Sequence, residues 1–159
     1  MEVHLFDAIK NFVADLANGD KPSGGFADQD LRLATAALLV HAAAIDGTMS
    51  DIERDKLRSL LQQRFQLDDA AAGELIEQAA VADEKAVDLY HFTRLLNGSL
   101  DESERLRLIE MMWTIAYADG RASEFEDNLI WRVADLLGVS STERIALRHR
   151  VAAQSGNGV

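Results

Sequence analysis

Eight residues of this chain have the types and the spacing to build a cation site, six as oxygen donors and two as turn-forming glycines. Asp46, Gly47, Ser50 and Glu53 recur downstream as Asp119, Gly120, Ser123 and Glu126. The longer strings Ala44-Ile-Asp-Gly-Thr-Met-Ser-Asp-Ile-Glu53 and Tyr117-Ala-Asp-Gly-Arg-Ala-Ser-Glu-Phe-Glu126 align without a gap. Carboxylates and hydroxyls are the oxygen donors that hard divalent cations of the calcium or magnesium type prefer. The spacing matches the second half of an EF-hand loop, with Asp at position five, Gly at six, an oxygen donor at nine and Glu at twelve. The first half is missing. Positions one and three fall on Ala42 and Ala44 in one copy, and on Ile115 and Tyr117 in the other. Neither corner alone therefore supplies enough oxygens for a tight site. A shared site remains: two corners at the same end of the molecule would bring Asp46, Glu53, Asp119 and Glu126 together as four carboxylates around one cation.

The competing reading is architectural. Asp-Gly is a common helix-ending turn, because Gly takes the left-handed conformation cheaply. Ser50 with Glu53 and Ser123 with Glu126 have the spacing of capping boxes. Two features favour the site. The whole pattern is repeated, and Glu53 and Glu126 precede Leu57 and Ile130 by one turn, which places them toward the inward face.

The elements that must position these corners are helices. Ala and Leu dominate, only 6% of residues are aromatic, and Pro22 is the single proline. Ala and Leu lose little side-chain freedom in a helix. The first helix is expected over 4–17, where Phe6, Ile9, Val13 and Leu16 share a face, and Asn18-Gly19 stops it. Further helices are expected over about 28–45, 50–65, 69–80, 87–96, 101–118, 123–137 and from 140 onward. Asp68 or Asp69, Asp101 with Glu104, and Ser140 with Glu143 provide additional caps. No stretch alternates with period two over a useful length. The expectation is an all-α protein of about eight helices in a compact bundle with two pseudo-symmetric helical repeats. Residues 1–25 form an N-terminal helix and linker. Residues 26–152 form the helical domain, with repeat one at about 28–80 and repeat two at about 101–151. Residues 153–159 form a flexible tail.

Composition excludes several classes of function. At 159 residues the chain buries about two-thirds of its unfolded surface. It contains no Cys, so disulfides, thiolate metal sites and a Cys nucleophile are ruled out. A net charge of −11 repels phosphate backbones and disfavours nucleic-acid binding, and it favours cations and basic partners. The first residues lack the basic and apolar regions of a signal peptide. The most apolar run, 34–45, is too short to span a bilayer and reads as a buried core helix instead. Nucleophile elbow, phosphate-binding Gly loop and His-Glu-x-x-His helix are all missing, so the chain reads as non-enzymatic.

Other residues carry weaker readings. His41 is expected as a satisfied core histidine, and Trp113, Trp131, Met111 and Met112 as core. Tyr90 and His91 fall on the fifth helix with no assigned role. Arg144, Arg148 and Arg150 concentrate positive charge near the C-terminus. Asp83, Glu84 and the stretch from Asp101 to Glu104 are expected to be solvated.

The two corners, Ala44-Ile-Asp-Gly and Tyr-Ala-Asp-Gly120, resemble the TerB-like family of tellurite-resistance proteins, as does the apolar helix leading into each. The resemblance covers roughly 31–151. It implies an all-α cytoplasmic protein of bacterial stress response, with peripheral association at the inner face of the membrane in some members. It also implies a role in metal-related sensing or as an interaction module, with the acidic positions mapping onto Asp46, Glu53, Asp119 and Glu126. It supplies no reaction. The alternative to cation binding is a metal-free protein–protein interaction module.

Overall fold

The computed structural model describes residues 28–45, 47, 49–86 and 89–154. They form seven helices and no strand: α1 (Asp28–Ala44), α2 (Asp51–Phe65), α3 (Asp69–Lys85), α4 (Tyr90–Asn97), α5 (Glu102–Ala116), α6 (Glu124–Leu136) and α7 (Ser141–Ala152). The helix expected over 4–17, its linker and most of the expected tail lie outside the described residues.

Helix α1 runs through the middle of the fold, in contact with α2, α3, α4, α5 and α6. Its composition explains this position. Leu33, Ala34, Leu38, Leu39, Ala42 and Ala43 are all buried, on every side of the helix. A helix that is apolar all round belongs inside, and its alanines let neighbouring helices approach closely. The second central helix is α5, which buries Leu108, Ile109, Met111, Met112, Trp113, Ile115 and Ala116. It packs on α1, α2, α6 and α7. Around this pair, α3 lies along α1 and α7 lies along α5.

Local signals set the ends of the helices. Four capping boxes form as the sequence predicts, at Ser50, Asp101, Ser123 and Ser140. Asp68 caps α3 by accepting from the Ala71 N–H at 2.8 Å. Helices α2 and α6 end in the same way. Gln66 (φ 58°) and Gly138 (φ 75°) take the left-handed conformation. The next N–H then returns to a carbonyl five residues back, Leu67 to Gln62 at 3.1 Å and Val139 to Ala134 at 2.8 Å. This is the longer bond of a Schellman motif.

The structure corrects several expectations. Trp131 is half exposed rather than core. The inward stripe of α6 is filled by Leu129, Ile130, Val133 and Ala134, and Trp131 falls outside it. His41 is a partly exposed position of α1, not a core residue, and its Nδ1 lies 2.8 Å from Asp83 Oδ1. Asp83 is accordingly paired rather than merely solvated. Helix α3 continues to Lys85, beyond the expected end near residue 80, because Ala82 adds another buried turn.

Candidate functional site

Each Asp-Gly corner is built by two devices in series. The first is a tight turn at the end of a central helix. The Gly47 N–H bonds the Ala44 carbonyl at 3.1 Å, and the Gly120 N–H bonds the Tyr117 carbonyl at 3.0 Å. Both glycines have positive φ, 133° and 110°. Nothing lies near the position a Cβ would take at either, so glycine is required by the backbone angle and not by crowding.

The second device is the capping box that opens the next helix. Ser50 and Ser123 are extended, with φ and ψ of −74° and 164°, and −77° and 165°. Their hydroxyls accept the Glu53 and Glu126 N–H groups, each at 3.1 Å. In return the Ser N–H groups donate to Oε1 of Glu53 at 2.9 Å and of Glu126 at 2.7 Å. Both glutamates are buried, at 5% and 3% exposure. The inward placement expected from the sequence is therefore observed, and their carboxylates sit at the root of each corner. Asp119 is exposed. Asp46 lies outside the described residues. Among the described residues, no three His, Asp or Glu side chains gather closely enough to hold a metal ion. The donors have the right chemistry for a hard cation, but the capping bonds already engage one oxygen of each glutamate. A complete ligand set would extend to Asp46.

The second corner has an additional support that sequence spacing did not reveal. Arg148 of α7 donates from Nε to the Tyr117 hydroxyl at 3.0 Å. Its other arm lies 3.0 Å from Asp127 Oδ1. The guanidinium stacks over the Trp113 ring at 5.3 Å from the centroid, and the Trp113 and Tyr117 rings are 6.1 Å apart. The Tyr117 hydrogen bond, aided by Asp127, pushes the Arg148 pKa above its ordinary value. One side chain thus ties α5, α6 and α7 together beside the corner. Arg148 and Tyr117 are 31 residues apart, so no local pattern could announce the pair.

The surface of the corners also carries apolar residues that the sequence reading passed over. Ile52 is 57% exposed and Phe125 is 62% exposed. They occupy the same place in the two aligned strings. The available signal was their position: each is the second helical residue after a capping serine, where a side chain points to solvent.

Fold and corners together define an all-α protein with two capped acidic turns. The family model for tellurite resistance protein TerB matches residues 32–149, and the chain belongs to that family. Comparison with curated proteins and with solved structures gave no match.

Proposed function

We propose that this chain is a non-enzymatic helical binding protein related to tellurite resistance. In this reading its acidic corners take a divalent cation of the calcium or magnesium type. Asp46, Glu53, Asp119 and Glu126 are the oxygen donors, contributed by two related units at about 28–80 and 101–151. The pairing of α1 with α3 and of α5 with α7, and the matched ends of α2 and α6, support two such units. The observation that carries the cation reading is the burial of Glu53 and Glu126 at the roots of the two corners. Surface capping glutamates have no need to be buried. Family membership supports a place in a cytoplasmic stress response. No helix among the described residues is long and apolar enough to cross a membrane.

Thermal unfolding with calcium or magnesium chloride tests this reading. A bound cation stabilises the native state by about 2.7 kcal/mol when present at roughly 100 times its Kd. The expected result is a rise in Tm that Asp46→Asn with Asp119→Asn abolishes. Glu53→Gln and Glu126→Gln should weaken the rise while keeping the caps, because Gln also serves in a capping box. No rise at millimolar ion would overturn the reading.

A second reading is a metal-free adaptor. The exposure of Ile52, Phe125 and Trp131 favours it, since large exposed apolar side chains are the usual anchors of protein interfaces. Partner capture that survives chelation but is lost in Glu53→Lys with Glu126→Lys would support it. Capture abolished by chelation would overturn it.

A further inference from the structure

The four capping boxes provide an internal control. Those opening α5 and α7 have exposed Ser103 and Thr142 as the second helical residue. This is the ordinary choice for a solvated position. The two that follow Asp-Gly corners have Ile52 and Phe125 there, each more than half exposed. Capping does not require an apolar side chain, since α5 and α7 are capped without one. Core packing does not explain it either, because neither residue is in the core. Solubility argues against it. Among the described residues, only these two helix openings pair an exposed acid, Asp51 or Glu124, with a large exposed apolar neighbour.

Charge selects the occupant. The ten residues from Asp46 to Asp55 hold four carboxylates and one arginine, and those from Asp119 to Asn128 hold the same. The chain as a whole carries −11. A second copy would bring the same charge and be repelled, as would an anionic lipid surface. A basic partner is attracted, and its apolar residues can cover Ile52 and Phe125.

We infer that the two corners are docking points for a basic amphipathic segment of a partner protein, with Ile52 and Phe125 as apolar anchors and Asp51, Asp119 and Glu124 as charge partners. This inference rests on the adaptor reading. The anchors supply most of the holding energy, and the acids select the partner and speed its approach. Binding weakens as salt rises, because the charge partners are exposed.

The test uses the full chain and a synthetic Leu/Lys amphipathic peptide of about 18 residues, roughly five helical turns. A control peptide keeps the lysines and replaces the leucines by Ser. Fluorescence anisotropy should show binding of the first peptide and much weaker binding of the second. Ile52→Ser with Phe125→Ser should lower affinity by about tenfold or more, the scale of an interface anchor. Both positions are exposed, so Tm should stay near that of the unaltered chain. Val81→Ser, an exposed apolar site on α3, should leave affinity unchanged. Amide chemical-shift changes should centre on 51–54 and 119–126. Equal binding of both peptides, unchanged affinity in the double variant, or shifts centred elsewhere would each overturn the anchors while leaving the adaptor reading to its own chelation test. Phe125-dependent pelleting with phosphatidylcholine–phosphatidylglycerol vesicles, or a dimer in sedimentation that Phe125→Ser dissolves, would overturn the basic partner.

Discussion

The first and second corners share a sequence, a turn and a capping box, yet the contacts that support them differ. Counted along the sequence from Leu67 and Val139, which close the matched ends of α2 and α6, Ile76 of α3 has the same offset as Arg148 of α7. Ile76 is buried, with Leu75 and Ala79 beside it. Arg148 is partly exposed and reaches Tyr117, Asp127 and Trp113 through polar and stacking contacts. Ala44 takes the place of Tyr117 in the first corner and offers no hydroxyl. Both outer helices bury apolar residues against a central helix, Ile76 of α3 on one side and Leu147 and Val151 of α7 on the other, and α7 adds an arginine that spans three helices. A duplicated motif does not imply a duplicated support. Apolar packing gives the larger stability, and the arginine gives a defined orientation to Tyr117 beside the corner.

The largest expected effect follows from that contrast. Ile76→Ala should destabilise the fold by about 2–5 kcal/mol, as deletion of a buried aliphatic side chain does. Arg148→Ala should cost on the order of 1 kcal/mol, because its ion pair with Asp127 is partly solvent-exposed and its stacking on Trp113 adds modestly. Chemical denaturation of the two variants measures both. Equal costs would show that the arginine is as structural as the isoleucine and would remove the distinction between the halves.

The matched ends of α2 and α6 offer a sharper comparison at smaller scale. Gly138 is left-handed at no steric cost, whereas Gln66 holds the same conformation with a Cβ. Gln66→Gly should stabilise the chain by up to about 1 kcal/mol, and Gly138→Ala should destabilise it by about 1 kcal/mol or more. Nothing lies near the position of a Cβ at Gly138, so the backbone alone sets the effect. The same sign for both substitutions in denaturant midpoints would break the equivalence of the two helix ends.

What could be read in the sequence was local. The capping boxes, the Asp-Gly turns and the inward lean of Glu53 and Glu126 depend on residues within a turn or two of one another, and all are present. The central position of α1 was legible from its run of Ala and Leu. What escaped was set by contacts between distant segments. His41 meets Asp83 across 42 residues, so its apolar neighbours misrepresented its surroundings. Trp131 was expected in the core because it falls on a long helix, although Asn128 and Asp135, about one turn to either side, mark a solvent-facing stripe. Whether the corners act together depends on Asp46, and sequence spacing says nothing of the distance between two turns in space.

The smallest effect concerns the cap that opens the second half. Three of the boxes begin with serine, which does not titrate, but α5 begins with Asp101. Its carboxylate accepts the Glu104 N–H at 2.8 Å and the Ser103 hydroxyl at 2.9 Å. These bonds, led by the one to Glu104, hold its pKa below the ordinary 3.8. A carboxylate with a lowered folded pKa contributes stability above the unfolded pKa and loses it as pH falls through the folded value. The first turn of α5 should therefore loosen as the pH falls below about 3.8, whereas the N-cap serines of α2 and α6 carry no ionisable group. A carboxyl-carbon NMR titration should place Asp101 below an unstructured Asp, and Asp101→Ser should remove the Asp101 contribution to pH dependence at that turn while retaining the cap. An Asp101 midpoint at or above the ordinary value would mean that the carboxylate is not the acceptor that opens α5. The two halves would then differ in their anchoring but not in their response to acid.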